Sequence, residues 1–297
     1  MMLPHPIPYQ GSKRKLAPTI AKYIPRRTTR LFEPFAGSAA MTIYVAFYGL
    51  AHEFVVGDSL KPMVDLLRRM VENPKPTADR YREIWEGQTR DNYAYFNEIR
   101  NRYNEQQDPL DLLYLICRCV KNAVRFNGNG RFTQSVDKRR LGMHPDKMQS
   151  AVIGVSRILR GRIEFRCGDW METTVDATPS DFVYMDPHYL VTSIGMNKRY
   201  HQQILVDDLV EGLWHLRDRC VPFALSYDGI TGEREYGPPL PCELGLVRLL
   251  LHAGTSSQST LSGRNEQTIE SLYVTPDLAQ PVEGVLRLKS EQTELCV

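Results

Sequence analysis

The tetrapeptide Asp186-Pro187-His188-Tyr189 follows the apolar run Phe182–Met185. It places a carboxylate, a backbone carbonyl and an aromatic face at one strand end. Those groups suit chemistry on the exocyclic amine of a flat base. Such a nitrogen is a weak nucleophile, because its lone pair is delocalised into the ring. If Asp186 and the Pro187 carbonyl accept its hydrogens, the lone pair can localise toward an incoming methyl group while Tyr189 stacks on the base. The four residues alone are a weak signal, since Asp-Pro after a strand also starts ordinary turns.

A second constellation lies upstream. Glu33-Pro34-Phe35-Ala36-Gly37-Ser38 follows one strand pattern and precedes a helix of small and apolar residues, the position at which α/β folds bind cofactors. Ala36 and Gly37 allow close approach to the backbone. Asp58, 21 residues after Gly37 and at the next strand end, is placed for ribose hydroxyls. The loop has no GxGxxG pattern, and its acidic start disfavours a pyrophosphate. A nucleoside cofactor without phosphate, such as S-adenosylmethionine, therefore fits better than a dinucleotide. Taken by itself the loop is equally an ordinary tight turn with a helix-packing glycine.

These positions need a scaffold of short buried strands. The pattern predicts strands at Arg30–Glu33, 53–56, 163–166, Phe182–Met185 and 223–226, with later ones at 246–252 and 269–274 that finish the sheet as an antiparallel hairpin. Short apolar strands alternating with helices indicate an α/β, doubly wound, mostly parallel sheet. Between Asp58 and Ile163 the pattern turns helical, at 62–70, 81–85, 93–103 and 110–120, followed by a polar, Gly-rich, basic segment at 125–140. That stretch reads as an insertion at 61–160, dividing the sheet-bearing part into 1–60 and 161–297. At the N-terminus, Pro8-Tyr9-Gln10-Gly11-Ser12-Lys13 predicts a turn leading into an amphipathic helix.

The chain of 297 residues is long enough for one large domain carrying an insertion. Its 37 basic and 35 acidic residues nearly cancel, but they are unevenly placed. Up to Arg30 there are seven Lys or Arg and no acid, and 118–140 holds seven more against Asp137 alone. Blocks of this kind suit a phosphate-tracking surface and equally an ordinary solvated face. The six cysteines lack disulfide or zinc spacing, which implies reduced thiols, a cytoplasmic location and no structural metal. No apolar stretch is of membrane-spanning length, and no secretory signal is visible.

Taken in order, Tyr9, Gly11 and Lys13 in a PYxGxK segment, Phe35-Ala36-Gly37, Asp58, Asp169 after Cys167-Gly168, Asp186-Pro187 with Tyr189, and Arg125-Phe126-Asn127 with Gly130 and Phe132 form a set. Together with the closing strand region from Asn265-Glu266 to Tyr273, this set resembles the Dam-like, D12-class S-adenosylmethionine-dependent DNA adenine-N6 methyltransferases. The resemblance runs from Pro8 to about Pro276. It implies a Rossmann-like methyltransferase fold with an inserted helical target-recognition domain, and double-stranded DNA as partner. It also implies base flipping and a place in restriction-modification. By the same resemblance Asp186, Pro187 and Tyr189 are catalytic. Tyr9, Gly11, Lys13, Phe35, Ala36, Gly37, Asp58, Asp169 and Asp186 would hold S-adenosylmethionine. Arg125, Asn127, Asn129, Lys138 and Arg139 would contact DNA.

His188 departs from the family, which has a second proline there. Proline fixes its own φ and restricts its neighbour, so histidine leaves the Pro187 carbonyl less pre-organised. Competing readings are a DNA-binding protein of this type without turnover, a cytosine-N4 methyltransferase acting through the same acceptors, and a nucleotide-dependent oxidoreductase that the missing glycine pattern disfavours.

Overall fold

The computed structural model describes residues 2–88, 91–187, 206–231, 234–236, 240–255, 267–279 and 285–287. Its helices are α1 (Ala17–Ile20), α2 (Ala40–Tyr48), α3 (Lys61–Glu72), α4 (Pro74–Glu86), α5 (Asn92–Gln106), α6 (Pro109–Arg118), α7 (Pro145–Leu159), α8 (Trp170–Thr173) and α9 (Val206–Asp218). Its strands are β1 (Arg30–Glu33), β2 (Glu53–Asp58), β3 (Ile163–Cys167), β4 (Phe182–Met185), β5 (Phe223–Thr231), β6 (Arg234–Tyr236), β7 (Val247–Thr255), β8 (Gln267–Val274) and β9 (Leu286–Arg287).

The strands form one sheet in the order β3-β2-β1-β4-β5-β8-β7-β9, with β6 on β5. From β3 to β5 every pairing is parallel; β8 and β7 then complete the sheet antiparallel. This is the mostly parallel, doubly wound sheet that the strand pattern predicts, with its closing hairpin. Central β4 is buried along its whole length, as a strand covered on both faces requires, and its sequence is accordingly an unbroken apolar run. Among the described residues β3 lies at the edge of the sheet, paired with β2, and it is half-exposed.

The chain from α3 to α7 is helical as far as Arg118, and α7 leads back into the sheet. Apolar residues at helical spacing, Met63, Leu66, Leu67 and Met70 on α3, share one core with Ala36 of the loop after β1, Val56 of β2, and Tyr81, Phe96 and Tyr103 of the helices. Asp91 and Asp108 cap α5 and α6 by accepting the Ala94 and Leu110 amides.

Two local expectations fail. The N-terminal segment does not form one amphipathic helix. A 3-10 turn at Lys13–Lys15, α1 and a second 3-10 turn at Ala21–Tyr23 take its place, because Pro18 cannot continue a preceding helix and instead sits in the first turn of a new one. In addition, α7 has no counterpart among the predicted helices, although Met148, Val152, Val155 and Leu159 make a buried stripe along it.

Candidate functional site at the carboxyl edge of the sheet

In this strand order the chain leaves β1 toward β2 on one side and reaches β4 on the other. The crevice outside the carboxyl ends of β1 and β4 is thus the topological switch point, where open α/β sheets bind ligands. Glu33, the loop to Ser38, Asp186 and Pro187 all converge there.

Glu33 ends β1 and is 4% exposed. Its carboxylate accepts the Met41 amide at 3.3 Å and the Thr42 amide at 2.8 Å. It thereby serves the N-terminus of α2, whose N-cap Ala39 is left-handed and offers no side-chain acceptor. Burial pushes the Glu33 carboxyl up to about 7, against the hydrogen bonds to Thr42 and Met41 that favour the anion; Asp186 adds to the rise. The amides that would cradle a phosphate are therefore already taken by a carboxyl group.

The rest of the loop is tied to β2 and to the N-terminal turn. Asp58 accepts the Gly37 amide through Oδ2 and the Leu60 amide through Oδ1, each at 2.9 Å. The Ala36 amide donates to the Gly57 carbonyl. Gly37 has φ +49°, and a Cβ there would lie 3.0 Å from the Tyr9 ring, so the half-buried Tyr9 covers this glycine directly. Tyr9 is held by a turn in which Gly11 is left-handed and the Ser12 amide donates to the Tyr9 carbonyl. The Ser12 and Ser38 hydroxyls lie 3.1 Å apart.

Asp169 follows β3 and caps α8 through the Met171 amide at 2.7 Å. Its residue is exposed, and the neighbouring Gly168 amide donates to the Asp58 carbonyl at 3.2 Å. Trp170 is buried and its ring packs 5.8 Å from that of Phe35. The structure therefore brings Tyr9, Phe35, Ala36, Gly37, Asp58 and Asp169 to one edge. No Lys or Arg occurs in the 33–38 loop. These features fit an uncharged ribonucleoside bound against the backbone and do not fit a pyrophosphate.

Asp186 emerges from β4, and Lys13 Nζ lies 3.0 Å from its Oδ1. The same ammonium lies 3.2 Å from Oε2 of Glu270 on β8. Burial alone would lower the Lys13 ammonium's pKa; the Asp186 and Glu270 carboxylates outweigh that and leave it raised. Beneath them Tyr184 shares a buried hydroxyl contact of 2.8 Å with Ser226. Pro187 is buried. Tyr189 and His188 lie outside the described residues, as do Asn265 and Glu266. Glu270 has no counterpart in the sequence reading, because an acid in a strand ordinarily marks the solvent face; only its period-two spacing from Leu272 and Val274 marks it as inward.

The basic segment forms a hairpin. Phe126 and Phe132 pair antiparallel, and Asn104 of α5 grips the return by accepting the Phe132 amide at 2.7 Å and donating to its carbonyl at 3.2 Å. Asn127 Oδ1 accepts the Asn129 and Arg131 amides, each at 3.0 Å, so that oxygen shapes the tip. Residues 127–131 are exposed and Arg125 is half-buried. Lys138 lies over the Tyr93 ring at 5.3 Å. Arg139 is clasped by Asp137, whose carboxyl its hydrogen bonds hold well below the usual carboxylate range. The hairpin root touches the site through the Gln10 amide, which donates to the Asn122 carbonyl at 3.1 Å. No helix among the described residues is long and apolar enough to cross a membrane.

The chain is 28% identical over 234 residues to the type II methyltransferase M.FokI of Planomicrobium okeanokoites, covering 74% of this chain and 35% of that protein. It is 24% identical over 196 residues to the type II methyltransferase M1.LlaDCHI of Lactococcus lactis subsp. cremoris, covering 62% and 65% respectively. It is 26% identical over 189 residues to the DNA N-6-adenine-methyltransferase of Escherichia phage P1, covering 61% and 23%. Each match thus spans less than two thirds of the relative's length. Among solved structures, the rRNA methyltransferase aviRa from Streptomyces viridochromogenes aligns over 90% of this chain and 86% of that one, at a TM-score of 0.38 and 12% identity, too distant to bear on function. The model of the D12 class N6 adenine-specific DNA methyltransferases matches residues 9–250, a span that includes the N-terminal turn, the 33–38 loop, Asp58, the hairpin and Asp186. The chain belongs to that family.

Proposed function

We propose that this chain transfers a methyl group from S-adenosylmethionine to N6 of adenine in double-stranded DNA. The observation that carries the reading is the convergence at the switch point. Asp186 follows β4, which pairs with β1, and so lies beside the loop after β1; Lys13 holds one oxygen of its carboxylate at 3.0 Å. In this reading Tyr9, Gly37, Phe35 and Asp58 line the cofactor site, with Asp169 at its rim. When bound, the cofactor supplies an electrophilic methyl group on a sulfonium.

The chain's own residues supply alignment and acceptors. Asp186, fixed through Oδ1, turns its other oxygen to an amine hydrogen, and the buried Pro187 offers its carbonyl to the second. Both acceptors draw the amine lone pair out of the ring and toward the methyl; the new N–C bond would form as the methyl–sulfur bond breaks and a neutral thioether leaves, and the surplus proton on the amine passes to water. Neither cysteine nor metal has a role in this scheme. An adenine stacked in duplex DNA cannot reach the sheet edge, so the target base must rotate out. We assign residues 61–160 as the target-recognition unit. Arg125, Asn127 and Asn129 serve contacts at the hairpin, and Lys138 and Arg139 serve the flanking phosphates. Relatives named as type II methyltransferases support a place beside a cognate restriction enzyme.

The test is purified chain, radiolabelled S-adenosylmethionine and unmethylated duplex DNA, followed by nucleoside analysis of the product. N6-methyladenine is the expected product. N4-methylcytosine, or cofactor binding without transfer to any DNA, would contradict the reading.

A further inference from the structure

The methyl-transfer scheme uses Lys13 and Asp186 but not the third member of their cluster, Glu270. Its position is built by the sheet. β8 runs antiparallel to β5, so its N-terminal half returns to the carboxyl edge of the parallel strands. The β5–β8 register shifts between Ser226 and Gly229, and pairing resumes at Gly229 with Glu270. A bulge of this kind bends a strand and re-aims the side chains beside it. Along β8, period two puts Glu270 on the face of Leu272 and Val274, which are buried in one core with Leu31, Met41 and Tyr184. Glu270 continues that line to the edge, where Lys13 enters from the N-terminal turn. The side chains of Lys13, Asp186 and Glu270 are 13%, 22% and 27% exposed, so their charges act in a setting much less screened than open water.

We infer that Glu270 is a positioning residue for Asp186: it shares the Lys13 ammonium, so that Lys13 fixes the Asp186 carboxylate without neutralising it. Paired with Asp186 alone, Lys13 would make a neutral ion pair whose carboxylate is a weakened acceptor. With Glu270 the cluster keeps a net negative charge, and Asp186 retains the strength of an ionised acceptor. The excess negative charge also favours a cationic ligand at this edge over an anionic one. The catalytic meaning rests on the methyl-transfer reading above; the shared ammonium does not.

The test compares the full-length wild type with Glu270→Gln and Glu270→Asp. One readout is the rate at which Lys13 is acetylated by trace acetic anhydride at mildly alkaline pH, resolved by mass spectrometry. The other is steady-state methyl transfer. In Glu270→Gln, Lys13 should label about 10-fold faster, because losing one of its two carboxylate partners leaves more of the amine unprotonated. Its kcat should fall about 10- to 100-fold, with KM for DNA within about 2-fold. Glu270→Asp should recover part of both effects. A merely structural residue would move KM and thermal stability and would leave Lys13 labelling unchanged. Unchanged labelling in Glu270→Gln would overturn the shared ammonium, and faster labelling with wild-type kcat would overturn the positioning role. A wild type that methylates no DNA defeats the reaction reading instead, and the labelling still decides whether Glu270 holds Lys13.

Discussion

The carboxyl edge and the hairpin at 125–133 handle charge in opposite ways. At the edge each acid is held: Glu33 by the Met41 and Thr42 amides, Asp58 by those of Gly37 and Leu60, Asp186 by Lys13. At the hairpin the apolar and amide contacts lie behind, in Tyr103, Phe126, Phe132 and Asn104, and the tip at 127–131 is left to solvent. Chemistry on one atom demands fixed acceptors and a fixed net charge. Tracking a polyanion demands exposed cations on a braced support, because phosphate contacts act at longer range and position rather than react. The two regions meet through the Gln10 amide and the Asn122 carbonyl, so the segment carrying Tyr9 and Lys13 is anchored to the base of the hairpin.

Substitutions at the edge should therefore alter rate, and those at the hairpin should alter site choice and affinity. The largest effect belongs to Asp186→Ala. Removing the acceptor should lower kcat by about 1,000-fold or more while DNA binding and thermal unfolding stay near wild type; appreciable turnover would break the contrast at its centre. Arg125→Ala should broaden the set of methylated sites. A lost bidentate base contact is worth about 1–3 kcal/mol of discrimination, and methylation mapping would show it; an unchanged preference would remove Arg125 from readout and direct attention to Asn127 or Asn129.

A third effect tests the buried acid. The Glu33 carboxyl is raised from 4.5 to about 7, so between those values the folded chain keeps a proton that the unfolded chain releases. Rising pH across that window therefore costs stability. Glu33→Gln removes the titration and keeps an acceptor for the α2 amides. From about pH 5 to about pH 8, its stability relative to wild type should improve by on the order of 1–3 kcal/mol, measured by thermal unfolding at each pH. A difference independent of pH would show that Glu33 stays ionised. The smallest effect is Lys138→Ala, which should flatten the salt dependence of DNA binding by about one unit of slope with site choice unchanged. Arg139→Ala should do less, since Asp137 already clasps its guanidinium.

Much of this was legible in the residues. The bounds of β1 and β4 follow from apolar runs cut off by charge or proline, and the βα loop and Asp58 follow from strand-end position. What escaped did so for physical reasons. Helix α7 carries Ser150, Gly154 and Ser156 among its apolar positions, which blurs its period. Pro18 breaks the N-terminal segment that amphipathic spacing alone would make one helix. The resemblance makes Asp169 a cofactor acid; its carboxylate caps α8, and its cofactor role is a proposal. Glu270 is found only when β8 is paired with β5, because its partner Lys13 lies at the other end of the chain. Its spacing from Leu272 and Val274 marks it as inward, but a side-chain contact over such a separation leaves no trace of the partner in the local sequence.

The most direct test of the central claim is single-base methylation mapping of DNA from a methylation-free host expressing this chain. N6-methyladenine in one recurring sequence context, absent when Asp186 is replaced by Ala, is the predicted result. Genomic DNA without N6-methyladenine despite abundant folded protein, or carrying the mark equally in the Asp186→Ala strain, would contradict the account.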